Sequence, residues 1–163
     1  MKPLTQAQVR KALSYDPETG LFVWKIKPSK NRESGGIAGG ISSNGYWRIS
    51  VYGVRRTAHR IAWLYVHGEW PQQDIDHING VRTDNRIDNL RVVSRSINLQ
   101  NQRTAKSHNK STGILGAYPS GNRFTSRIQV FGQDIYLGCF ETAQQAHMAY
   151  IKAKRKYHKG NQL

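Results

Sequence analysis

Cysteine, acidic residues and long apolar runs are scarce in this chain, and each scarcity excludes something. The one cysteine, Cys139, rules out an intrachain disulfide and paired-cysteine zinc ligation, and it fits a reducing cytoplasm. No apolar run is long enough to span a bilayer, and Met1-Lys2-Pro3 leads into no hydrophobic signal segment, so no membrane role is expected. Acidic residues number 10 against 25 Lys and Arg, a net charge of +15 spread along the 163 residues. That excess calls for a polyanionic partner. Nucleic acid suits it better than a membrane surface, because no strongly amphipathic basic helix dominates. Apolar content is 37%, which favours two or three small cores over one large one.

What is present centres on Asp76 to Asn98, DHINGVRTDNRIDNLRVVSRSIN. The stretch reads as strand, loop, a short strand over Leu90–Val93, and a short helix over SRSINLQN that Ser94 or Ser96 could cap. Its residue types suit phosphodiester hydrolysis. A hard cation such as Mg²⁺ takes oxygen ligands and keeps several waters, and Asp76 and Asn98 offer a carboxylate and an amide oxygen. His77 is the candidate general base, since an unperturbed imidazole titrates near ~6.5 and is largely neutral at pH 7. A blander reading uses the same residues. Asn79-Gly80 is a turn signal, and Asp84, Asn85, Asp88 and Asn89 are ordinary turn residues, so a polar hairpin without chemistry stays open. A calcium loop starting at Asp74 fails, because Asn79 stands where glycine is needed and Asn85 where glutamate is needed.

Asp76-His77, Asn89 and Asn98, with Ala58-His59-Arg60-Ile61-Ala62 upstream and Asn101 downstream, resemble the HNH nuclease motif of phage and intron-encoded homing endonucleases. Asn98 stands in place of the final histidine. The resemblance implies a ββα-metal finger in which His77 activates water. Asp76 and Asn98 would hold one divalent ion, Mg²⁺ or Mn²⁺ rather than zinc. Asn89, counted with His77 in the catalytic set, would brace the loop. It also implies a phage-encoded protein acting in the bacterial cytoplasm, as a monomer or weak dimer, on double-stranded DNA, leaving 5′-phosphate and 3′-hydroxyl ends.

Before this unit, Thr5-Gln6-Ala7-Gln8 predicts a capped helix with Val9, Ala12 and Leu13 on one side. Asp16 to Gly20 predicts a turn and Leu21 to Trp24 a strand. The glycine-punctuated loop that follows carries Lys30 and Arg32. Gly45 to Ala58 predicts a hairpin around Gly53, one face apolar and the other bearing Arg48, Arg55 and Arg56 as candidate DNA contacts. His59 to His67 predicts a short helix, with His59 in a structural role.

After it, Asn101 to Thr112 is polar and basic and reads as a linker whose Arg103, Lys106 and Lys110 could lie on DNA. From Gly113 on, Phe124, Ser126, Ile128 and Val130 alternate with Arg123, Thr125, Arg127 and Gln129, Gly132 turns the chain, and Thr142 to Gln145 starts a helix with Ala146, Ala149, Tyr150, Ala153 and Tyr157 on one stripe. Lys152, Lys154, Arg155, Lys156 and Lys159 fall on its other face and end. Gly113-Ile114-Leu115-Gly116, Arg123 to Ile128, Tyr136 to Ala143 and Ala149-Tyr150 resemble the plant ethylene-response-factor type of DNA-binding domain. That resemblance makes Arg123, Arg127 and Tyr136 the DNA-facing residues. Leu115 and Phe124 depart from the pattern, so no base preference carries over.

The expected fold is therefore α+β: an amino-terminal helix and antiparallel strands over 1–58, a nuclease unit over 59–101, a linker over 102–112, and a three-stranded sheet plus helix over 113–163. The expected activity is a metal-dependent DNA endonuclease. Its rival is a DNA-binding phage regulator with a degenerate nuclease unit. An RNA-binding protein fits less well, because the aromatics form no stacking platform.

Overall fold

The computed structural model describes residues 3–31, 33–102, 105 and 111–158. Arg32, Arg103, Lys106, Lys110 and Lys159, and with them most of the expected linker, lie outside the described residues. The chain divides into two units, Met1–Arg95 and Ser96–Leu163. Both are mixed α and β, and the described strand pairs are all antiparallel. No helix among the described residues is long and apolar enough to cross a membrane.

In the first unit, α1 (Gln6–Ala12) starts at Thr5, whose side chain accepts from the Gln8 N–H while Gln8 accepts from the Thr5 N–H. The buried Val9 and Ala12 face inward. Strands β1 (Leu13–Tyr15) and β2 (Phe22–Trp24) form a hairpin. Its turn ends at Gly20, where φ is +72° and a Cβ would stand 2.5 Å from the Arg86 amide nitrogen. Only glycine permits that approach, and it seats the hairpin against the later loop. Strands β3 (Gly40–Ile41), β4 (Trp47–Val51) and β5 (Val54–Thr57) make a three-stranded sheet. Helix α2 (Ala58–His67) follows at once and stops at left-handed Gly68. Then β6 (Asp74–His77) pairs with β7 (Leu90–Val93) across a loop that holds a 3₁₀ turn at Ile87–Asn89. Leu4, Val9, Leu13, Phe22, Ile49 and Val51 share one apolar interior with Ile61, Leu64, Ile75 and Leu90. Residues of the 1–58 segment and of the nuclease unit expected from 59 thus have a common core.

Helix α3 (Arg95–Gln100) begins at the last residue of the first unit. The second unit orders β8 (Tyr118–Ser120), β9 (Arg123–Val130) and β10 (Gln133–Phe140) as β10-β9-β8, with α4 (Ala143–Tyr157) packed on the sheet. Thr142 and Gln145 form the capping box. Ala143, Ala146 and Ala153 are buried, and Gly116 lies so close under Tyr150 that a Cβ would overlap its ring. Lys154 departs from the expected solvated face. It is buried at 1% exposure, and its amine donates to the Gln102 carbonyl. A long aliphatic stem lets a lysine cross apolar surface and deliver its charge to an acceptor.

Candidate active site

Register builds the site. In the β6–β7 ladder Asp76 stands opposite Arg91 and His77 opposite Leu90. Arg91 donates to Asp76 Oδ2 from Nε at 3.0 Å and Nη2 at 2.7 Å, a cross-strand ion pair with the carboxylate almost fully buried. Successive side chains on a strand leave by opposite faces. His77 accordingly turns away toward His59, whose ring it meets edge-on with centroids 4.9 Å apart. Tyr46 sits 5.3 Å from His59 and 6.0 Å from His77, and Arg82 lies 5.1 Å over the Tyr46 ring.

This enclosure fixes protonation. Burial pulls the His77 pKa below its usual value; the Asn85 side chain, Asp76 and Asp84 oppose that pull without reversing it. His59 is pushed down to about 3, first by burial, then by His77 and Arg60. Its Nε2 meets the Thr57 hydroxyl at 3.1 Å, which ties α2 to the end of β5. Both rings are neutral at pH 7, and neutral imidazole is the form that can accept a proton.

The loop between the strands is held by Asn89. Its Oδ1 accepts from the Asn79 N–H at 3.0 Å, and its Nδ2 donates to Asn79 Oδ1 at 3.0 Å and to the Asp84 carbonyl at 2.9 Å. Asn79 in turn donates to Asp84 Oδ2 at 2.7 Å. Arg86 grips the same carboxylate and lowers the Asp84 pKa to about 2. From the first hairpin, the Tyr15 hydroxyl donates to the Asn85 carbonyl at 2.8 Å, and burial raises its pKa to about 12.

The first unit therefore assembles Asp76, His77 and Asn89. Asn98 lies on α3, in the second unit. Among the described residues no three His, Cys, Asp or Glu side chains gather as a metal cage. A Mg²⁺-type ion needs no such cage, since it is bound through one or two carboxylates and its own waters. Asp76 supplies a carboxylate, the ligand type such an ion takes, and Arg91 bonds its Oδ2. Arg91, Tyr46, Arg82 and Asn85 were not singled out from sequence. Arg91 could have been, as the polar residue in an otherwise apolar strand.

The candidate DNA contacts fall on two sheets. Arg48 and Arg55 line one cleft of about 610 Å³ beside β4 and β5. Arg56 pairs with Ile49 instead, on the opposite face from Arg55, because neighbouring strand residues alternate; its side chain is exposed nonetheless. In the second unit Arg127 stands opposite Tyr136, with Arg123 on the same exposed face of β9. Arg127 also lies 5.1 Å over the Tyr118 ring and 4.0 Å from Asp134.

Residues 56–100 match the family model described as HNH endonuclease. The matched segment runs from the end of β5 through α3 and holds Asp76, His77, Asn89 and Asn98. The chain is also similar to the solved structure of the HNH homing endonuclease I-HmuI, reported for DNA binding and cleavage, with a TM-score of 0.42 and 20% identity over 91% of this chain and 88% of that one. No curated protein matches the chain.

Proposed function

We propose that the chain is a metal-dependent homing-type DNA endonuclease that hydrolyses phosphodiester bonds at a recognised site. The observation that carries this reading is a neutral, enclosed His77 next to the carboxylate of Asp76, inside the segment that matches the HNH family. His77 takes a proton from water at an imidazole nitrogen as the water oxygen bonds to phosphorus. The bond to the 3′ oxygen breaks, that oxygen gains a proton from solvent, and the ends are a 5′-phosphate and a 3′-hydroxyl. Asp76 and Asn98 would hold the divalent ion, Mg²⁺ or Mn²⁺, which supplies charge stabilisation at the phosphate and the leaving oxygen. Asn89 keeps the loop in shape, and Tyr15 anchors it from the first hairpin.

Arg48 and Arg55, which line one cleft of the β4–β5 sheet, suit phosphate contacts. The second unit, in the manner of ethylene-response-factor domains, would read DNA through Arg123, Arg127 and Tyr136. The expected phage origin and cytoplasmic setting belong to this same reading. Plasmid DNA incubated with the protein should be nicked or cut with Mg²⁺ and left intact with EDTA. The Asp76–Arg91 ion pair favours one rival, a DNA-binding protein without catalysis, since it occupies part of the carboxylate. Binding of plasmid without cleavage in any divalent metal selects that rival.

A further inference from the structure

Two hairpins close in the same unusual way. Val51 pairs with Val54, and Val130 with Gln133, leaving the two-residue loops Tyr52-Gly53 and Phe131-Gly132. Both residues of each loop have positive φ, 48° and 77° in the first and 49° and 83° in the second. This is the type I′ geometry, whose preferred pair is Asn-Gly. A bulky side chain at positive φ is a genuine outlier, so an aromatic in the first position works against folding. Burial does not offset it: Phe131 is 95% exposed and Tyr52 52%. Each aromatic tops a hairpin that carries cations, Arg48 and Arg55 on one, Arg123 and Arg127 on the other. The one acid of the β9–β10 hairpin, Asp134, lies 4.0 Å from Arg127.

An exposed aromatic beside arginines combines a stacking surface with a hold on phosphates. Inserted apolar side chains unstack base steps and kink the duplex. We propose that Phe131 is a stacking wedge: when the second unit binds duplex DNA through Arg123 and Arg127, the hairpin tip presses the phenyl ring into a base step. This rests on the reading of that unit as DNA-binding. Phe131 is then a specificity-determining residue, favouring steps that open easily, such as pyrimidine–purine steps.

The test uses the full chain, its Phe131→Asn and Phe131→Trp variants, and short duplexes carrying 2-aminopurine, whose fluorescence rises on unstacking. Asn relieves the turn, so Phe131→Asn should melt about 4 °C higher. It should also bind DNA at least about fivefold more weakly, because a lost stacking contact is worth at least that. It should abolish the fluorescence rise, which Phe131→Trp should keep. Equal affinity and equal fluorescence in wild type and Phe131→Asn overturn the wedge. So does a lower melting temperature in Phe131→Asn, which makes the ring structural. A change of oligomeric state with unaltered DNA binding assigns the ring to a protein contact and also overturns it. If wild type binds no duplex at all, the DNA-binding reading of the unit falls and the wedge with it; if it binds without unstacking, only the wedge falls.

Discussion

Replacing Asn89 with alanine should cost the loop its brace. Three hydrogen bonds disappear at once: one accepted from the Asn79 amide and two donated, to Asn79 Oδ1 and the Asp84 carbonyl. Each nets about 0.5–1.5 kcal/mol, and a donor left dry adds to the loss. Asn79 Oδ1 keeps a partner in the Val81 N–H, so the sum stays moderate, about 2–3 kcal/mol. That is a large share of the roughly 5–15 kcal/mol available to a domain. Urea unfolding of the full chain measures it, and amide exchange should speed up most at Asn79. Because Asn79 and Asn89 share a bond, a cycle with Asn79→Ala should show coupling of about 1 kcal/mol. Cleavage should fall too, since the loop holds Asn85 beside His77, while the metal concentration needed for cutting stays the same. A loss under about 0.5 kcal/mol, or an additive cycle, refutes the reasoning.

Three further outcomes follow from particular contacts. His59 is buried with a folded pKa lowered to about 3, while the unfolded imidazole titrates near ~6.5, so unfolding takes up a proton between these values. Its stabilising contribution is complete above ~6.5 and is lost as pH falls toward the folded pKa, by about 1.4 kcal/mol per pH unit at most; His59→Gln should flatten that slope in acid denaturation. Tyr15→Phe leaves the buried Asn85 carbonyl without its donor and should cost about 1–3 kcal/mol in the same unfolding assay, with cleavage reduced through the displaced loop. Arg127→Ala should relax site choice by about 1–3 kcal/mol of discrimination, read as the ratio of target to scrambled DNA cleaved at fixed salt; an unchanged ratio means the second unit anchors without selecting.

Local signals carried much of this structure. Both capping boxes, at Thr5 and Thr142, sit where their spacing puts them, and the alternation from Arg123 to Val130 gives the buried and exposed faces of β9. His77, Asp76 and Asn89 could be picked out because polar residues of the right kinds recur at the family's spacing. What sequence could not supply were contacts set by register and by packing between distant segments. Arg91 meets Asp76 only because the two strands align that way, and Tyr46 and His59 reach His77 only once α2 and β4 enclose it. Tyr15 lies 70 residues from its acceptor. The shared core of residues 1–95 was likewise hidden, since each segment shows its own apolar stripe and neither stripe names its partner. Lys154 misled because the helical pattern marks a face but not what covers it.

The decisive measurement is cleavage against binding for His77→Ala. The account predicts that the variant binds duplex DNA as wild type does, because the imidazole makes no phosphate contact. Its single-turnover cleavage rate with Mg²⁺ should fall by about 10²–10⁴-fold, the usual worth of a general base. Cleavage at the wild-type rate, with binding intact, would contradict it.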